Sequence, residues 1–302
     1  MLRRLGVLLA GVLLATACSA DDGPAASRRP SPTAPSETTT PSAATATTEA
    51  AAGVGSGPEA TTPTGDVGPG AAPGSAPAGP VPAPPSVAAI GPQAVGRLAP
   101  FLLRPGHGGR IVVEVRAQAG AEPRRATIDH LVGVLQEASG KTVLVDGPDA
   151  LGGGGEAWTA GSLSALADRT AELPQGGDQV VLRLLFLRGA FEGDAGVLGV
   201  AVRGDVAAIF SDRVDAAAGL LVDPATVEDA VAVHEVGHLL GLVDIIIGSG
   251  RGDPEHPGHS RNRSSVMFWA VESDAISQLL SGGIPNQLDA DDRAELAAIR
   301  RG

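Results

Sequence analysis

Hydrophobic positions along the chain fall into two regimes. From about Ser19 to about Pro85 there is nothing to bury, because the segment is almost wholly Ala, Gly, Pro, Ser and Thr, as in PSPTAPSETTTPSAATATTEA. Such a chain cannot offset its conformational entropy by packing, and it predicts a disordered tether. Beyond it, apolar residues recur at structured intervals. GRIVVEVRAQ (Gly109 to Gln118) is β-branched and predicts a strand. The next run, ATIDHLVGVLQEASG, places Ile128, Leu131, Val132 and Leu135 at helical spacing and stops at Gly140. Lys141 to Gly147 predicts a second strand, and the stretch from Thr159 to Leu173 a helix or a pair of turns. Gln179 to Leu187 is apolar throughout, as in a strand covered on both faces. GVLGVAV and DVAAIFSD predict two short strands joined at Arg203-Gly204. ATVEDAVAVHEVGHLLGL predicts a helix begun at Asp223-Pro224, where Glu228 and Asp229 suit the positive end of the dipole. LDADDRAELAAIR predicts a last helix, capped by Asp289 or Asp291. The order implies one α/β domain over residues 87–302.

The N-terminus carries a different signal. Met-Leu-Arg-Arg followed by LGVLLAGVLLATAC has the charged and apolar regions of an export signal. Cys18 is the only cysteine of the 302 residues, so an intrachain disulfide is excluded. LLATACS is similar to a bacterial lipobox, with Ala15 where leucine is usual, and predicts lipidation at Cys18. Ala15-Thr16-Ala17 also satisfies ordinary signal cleavage, which would give a secreted protein. The expected organisation is a signal over 1–18, a tether over 19–86 and a domain held at the extracellular face of a bacterial membrane. Membrane contact is expected only through the lipidated terminus, and a monomer is expected. A net charge of -12 argues against nucleic acid as a partner. The Gly152–Gly155 run lacks the Lys-Ser/Thr of a phosphate loop.

The chemistry is concentrated in HEVGHLLGLVD, which begins at His234. Residues four apart share a helix face, so His234 and His238 can aim ring nitrogens at one ion. Glu235 lies beside them, where a general base could take a proton from a zinc-bound water and pass it to a leaving amine. The structural alternative is a chance HExxH on an ordinary helix, yet only six histidines are present and two fall at this interval. Gly241 allows a left-handed stop, so the chain can turn back beneath the ion. The third ligand stays open on the residues alone. Asp244 is the first candidate, since a carboxylate is a competent zinc ligand. His259 and His256, in the turn-rich GDPEHPGHSRNR, are the alternatives, and Glu272 is a more distant one. Asp253 and Glu255 are acidic neighbours, but no recognisable calcium loop surrounds them. His130, on a predicted helix, is expected to be structural.

HEVGHLLGLVD followed by SSVMFWA resembles the metzincin metalloproteases, whose pattern is HExxHxxGxxH/D and then a Met-containing turn. The resemblance covers roughly Gly109 to Arg301. It implies a zincin-like α/β domain with a mixed twisted sheet, an active-site helix, a Met-turn at Met267 and a C-terminal helix. It also implies Zn²⁺, hydrolysis of peptide or protein substrates as an endopeptidase, and an edge strand, between Val197 and Phe210, that holds extended substrate. A non-catalytic surface protein with a vestigial zinc site is the other reading, against which Glu235 speaks. Phe268 stands where many members place a tyrosine, and the chain has no tyrosine at all. With Cys18 the sole thiol, latency through a cysteine ligand is not expected.

Overall fold

A computed structural model describes residues 92–153, 156–220, 222–279 and 281–302. The segments expected to be an export signal and a tether, with Cys18, lie outside the described residues. Five strands form one sheet in the order β2-β1-β4-β7-β6: β1 (Arg110–Gln118), β2 (Thr142–Leu151), β4 (Gln179–Leu187), β6 (Gly199–Arg203) and β7 (Val206–Phe210). β2, β1, β4 and β7 are mutually parallel, and β6 closes one edge antiparallel to β7. A second, two-stranded parallel sheet joins β3 (Glu156–Trp158) to β5 (Gly189–Phe191). The helices are α1 (Ala99–Leu103), α2 (Arg125–Ser139), α3 (Ala160–Arg169), α4 (Ser211–Ala218), α5 (Pro224–Leu239) and α6 (Ala290–Arg301). The fold is thus the expected α/β class with a mixed sheet. Among the described residues no helix is long and apolar enough to cross a membrane.

The period of two along each strand sorts side chains to two layers. Ile111, Val113 and Val115 of β1, with Val180, Leu182, Leu184 and Phe186 of β4, join the large core that includes α2 and α5. Leu185 and Leu187 of β4, with Val206, Ala208 and Phe210 of β7, face the smaller core capped by Leu163, Leu166 and Ala167 of α3. Between these apolar residues runs a buried ion network. Glu114 lies 2.8 Å from Arg116 and 3.0 Å from Arg183, and Arg183 lies 2.6 Å from Asp205. Pairing satisfies charges that burial alone would make costly.

Several boundaries differ from the sequence expectation for local reasons. β2 continues four residues past Gly147, because a register shift between Glu114 and Arg116 brings Asp149 within 2.8 Å of Arg116. The strand expected to run to Asp212 ends at Phe210, and α4 begins at Ser211. There the Ser211 hydroxyl donates to the Ala121 carbonyl at 3.2 Å, and the Asp212 carboxylate accepts from the Gly189 N–H. α3 has a reciprocal cap between Thr159 and Ser162 and stops at Arg169.

Helix α5 carries the HExxH residues and is buried on nearly every side, its apolar residues spread around the helix and not confined to one stripe. Asp223 caps it by accepting from the Ala225 N–H, and Pro224 takes the first turn. Glu228 and Asp229, expected to serve the dipole, dock α5 onto α2. Glu228 accepts from Arg124 at 2.5 Å and from the Thr127 hydroxyl at 2.8 Å. Asp229 lies 2.7 Å from His130 Nδ1. On its other flank α5 meets the edge strand at Gly199. A Cβ there would fall 2.6 Å from Val231 and 2.7 Å from Glu235 Oε1, so glycine sets how closely the helix approaches β6.

Candidate metal centre

His234 and His238 emerge from consecutive turns of α5 with their rings in an edge contact, centroids 4.7 Å apart. The Val266 carbonyl accepts from His234 Nδ1 at 2.7 Å, which leaves the Nε2 lone pair free to face inward. His238 Nε2 lies 3.0 Å from His234 Nε2. His259 completes a triangle of rings, stacked on His234 at 5.2 Å and edge-on to His238 at 5.0 Å. Glu272 reaches in from a short 3-10 helix, Trp269–Glu272. Its Oε2 lies 3.6 Å from His234 Nε2 and 4.0 Å from His238 Nε2, and its Oε1 lies 2.9 Å from His259 Nε2. One ligand atom from each of the four residues falls within 4.8 Å of all the others.

The electrostatics of this group call for a cation. Both ring nitrogens of His259 are buried, and Nδ1 has no partner while Nε2 has only Glu272 Oε1 at 2.9 Å. Burial, then the neighbouring His234, holds His238 well below the usual imidazole range. Burial works against the Glu272 carboxylate, but His234 and His259 more than offset it and hold its pKa well down. Three convergent imidazoles with a carboxylate match the N/O donor set of zinc at tetrahedral geometry. Beside them Glu235 is fully buried, and neither of its carboxylate oxygens has a side-chain hydrogen-bond partner. Burial and then the charge of Glu272 raise its pKa well above the carboxylate range, and the Ala201 backbone offsets part of this.

The loop after α5 carries Asp244 away from the helix histidines. Gly241 stands at φ +81°, its N–H bonded to the His238 carbonyl while the Leu242 N–H reaches back to Gly237, a Schellman stop. Val243 and Asp244 follow at φ 58° and 64°, an outlier for β-branched valine and a conformation that aspartate tolerates better. Asp244 then lies exposed, outside the histidine group. Its Oδ1 accepts from the Ser249 N–H, from the Ser249 hydroxyl at 2.7 Å and from Gly250 at 3.1 Å, and its Oδ2 accepts from Gly252 at 3.1 Å. Those bonds, the Ser249 hydroxyl foremost, lower its pKa. The first sequence candidate is therefore spent on folding its own loop, and His259 takes the place beside the helix histidines. His259 is held by its backbone, with its carbonyl accepting from Asp253 and the next N–H, Ser260, donating to Met267, both at 2.7 Å. His256 lies outside the group, stacked on Trp269 at 4.4 Å with Nδ1 3.0 Å from Asp253. Asp253 is committed to His256 and to the Glu255 N–H.

Met267 is fully buried under α5. Its turn serves two ligand candidates, since Val266 holds the His234 ring and the Met267 carbonyl holds the chain at His259. Sequence reasoning passed over Gly237, whose position between the two histidines of HEVGH was the available signal. A Cβ there would stand 2.3 Å from Met267 Sδ. Gly237→Val should therefore overpack the floor by ~1–3 kcal/mol. At about 2–4 °C per kcal/mol, a thermal melt should show a drop of several degrees. An unchanged melting temperature would mean that Met267 does not need this contact.

No family model matches the sequence, and no curated protein matches it. Among solved structures, an archaemetzincin from Methanopyrus kandleri is 19% identical, covering 65% of this chain and 98% of its own at TM-score 0.42. An archaemetzincin from Archaeoglobus fulgidus, solved with malonate, is 16% identical over 63% of this chain and 99% of its own, at TM-score 0.38. A zinc-dependent peptidase from Methanocorpusculum labreanum is 16% identical over 62% and 100%, at TM-score 0.39.

Proposed function

We propose that the chain is a zinc-dependent endopeptidase in which His234, His238 and His259 hold the metal and Glu235 is the general base. The observation that carries this is the pairing of three convergent imidazoles with a buried carboxylate that has no side-chain partner. When bound, zinc supplies Lewis-acid polarisation and lowers the pKa of water. The remaining work falls to the chain. A Glu235 oxygen takes one proton from the attacking water as the water oxygen bonds to the scissile carbonyl carbon. It returns that proton to the amide nitrogen as the C–N bond breaks. Val266 keeps His234 in the tautomer with Nε2 inward.

Substrate is placed along β6. The bond from Phe210 N–H to the Leu198 carbonyl turns Leu198 toward β7, so alternation puts the polar groups of Gly199 and Ala201 on the outward side. An extended peptide adding there would lie beside Glu235, which Gly199 touches. The N-terminal sequence supports placing this activity outside the cell, anchored through Cys18. The second reading is a closed, non-catalytic zinc site, and it is favoured by the presence of Glu272 as a fourth donor.

The test is metal removal and return. One zinc per chain is expected, with hydrolysis of an unstructured protein substrate lost to a chelator and restored by stoichiometric Zn²⁺. Zinc-loaded protein that cleaves nothing, both as wild type and with Glu272→Gln, would sink the peptidase reading in favour of the closed site.

A further inference from the structure

The segment around Glu272 does two things at once. Its side chain enters the histidine group, and its backbone adds to the chain that leads into the edge strand. The Leu198 N–H donates to the Glu272 carbonyl at 2.7 Å, and the Asp274 N–H donates to the Gly196 carbonyl at 2.8 Å. Val197 and Ser273 form an antiparallel bridge between those bonds. Strand addition at a sheet edge is how an extended peptide is held. Here a piece of the protein's own chain occupies the approach to β6, and its carboxylate supplies a fourth donor.

We infer that Glu272 is a displaceable latch: a self-supplied fourth ligand on a segment that docks as substrate would, closing the site until it is released. The inference rests on the zinc-site reading above. Four protein donors make a closed site, whereas a catalytic site keeps one position open. Three features separate a latch from a permanent structural ligand. The Glu272 side chain is 25% exposed whereas that of His234 is 0%, so it sits at the mouth and not in the floor. Its segment is held on β6's approach by two backbone bonds, and the Ser273 hydroxyl is buried there with no partner, a cost that release would remove. Glu235 lies buried beside the group with no side-chain hydrogen bond, placed to accept a proton once a coordination position opens. Release breaks the Glu272 carboxylate contact and frees one coordination position while the three histidines stay in place.

The full-length, zinc-loaded protein should be compared with Glu272→Gln and Glu272→Ala. The first readout is calorimetric binding of acetohydroxamate, a small zinc-directed anion that needs an open position. If the latched form dominates, the apparent affinity of the wild type is reduced by the open fraction, so both variants should bind about tenfold tighter or more. The second is hydrogen exchange at the amides of Leu198 and Asp274, which should speed up in both variants. Peptidase kcat/KM should rise by a similar factor. Unchanged hydroxamate affinity, or loss of zinc from both variants, overturns the latch. Tighter hydroxamate binding and faster exchange with no hydrolysis in any form uphold the latch and overturn the peptidase reading alone.

Discussion

Glu235→Gln is expected to keep one zinc per chain and lose peptide hydrolysis by about 10²–10⁴-fold in kcat/KM, the range that general-base catalysis contributes. The substitution is nearly isosteric and removes only the proton-accepting charge. No side chain bonds either Glu235 oxygen, so no side-chain network collapses when one becomes an amide. Burial already works against its charged form, so the melting temperature should hold or rise. Zinc content, a melt and steady-state kinetics on one preparation separate the outcomes. Hydrolysis within a few fold of the wild type, with zinc retained, would remove Glu235 from the mechanism. A large loss accompanied by loss of zinc would mean that the residue organises the site and does not act as its base.

His259→Ala should weaken zinc binding by more than about 100-fold, the upper end of what loss of an outer-shell partner costs, because a direct donor disappears. Asp244→Ala should leave zinc affinity within a few fold. Its effect should fall on stability, because Ser249, Gly250 and Gly252 lose their acceptor and alanine must take φ 64°. A left-handed residue costs ~1–2 kcal/mol unless it is glycine or, like asparagine and aspartate, can hydrogen-bond locally, which alanine cannot. Competition with a chromophoric chelator reads the first effect and thermal unfolding the second. The reverse pattern, metal lost with Asp244 and kept with His259, would return the third ligand to its motif position. The two variants divide roles that adjacent stretches of sequence leave entangled.

The legible parts of this protein were those fixed by local rules. Two histidines four apart on a helix share a face whatever surrounds them, and the placement of Glu235 follows from the same geometry. The both-faces-apolar pattern of Gln179 to Leu187 made it a central strand, and β4 lies third in the five-stranded order. Gly140 and Gly241 ended helices as their left-handed freedom allows. The strand-to-helix change at Ser211 was hidden because its cause, Asp212 bonded to Gly189, is a contact across 23 residues. β3 and β5 were hidden because each is three residues long and they pair with one another in a separate sheet, across more than thirty residues of chain.

By itself, the sequence determined the α/β class, the helix bearing the two histidines and the glutamate, and the set of residues from which a third donor could come. The tertiary structure brings His259 and Glu272, and not Asp244 or His256, beside the helix histidines. Asp244 has the motif's spacing, but four donors within eight residues claimed its carboxylate. His259 is 21 positions beyond His238 and reaches it because Asp253 and Met267 clamp the chain on either side. Glu272 enters the same group because its backbone pairs with the run into β6, more than seventy residues upstream. A helix fixes where its own side chains point, since its hydrogen bonds are local. A loop residue's position is fixed by partners distant in sequence, and those become neighbours only when the chain has folded.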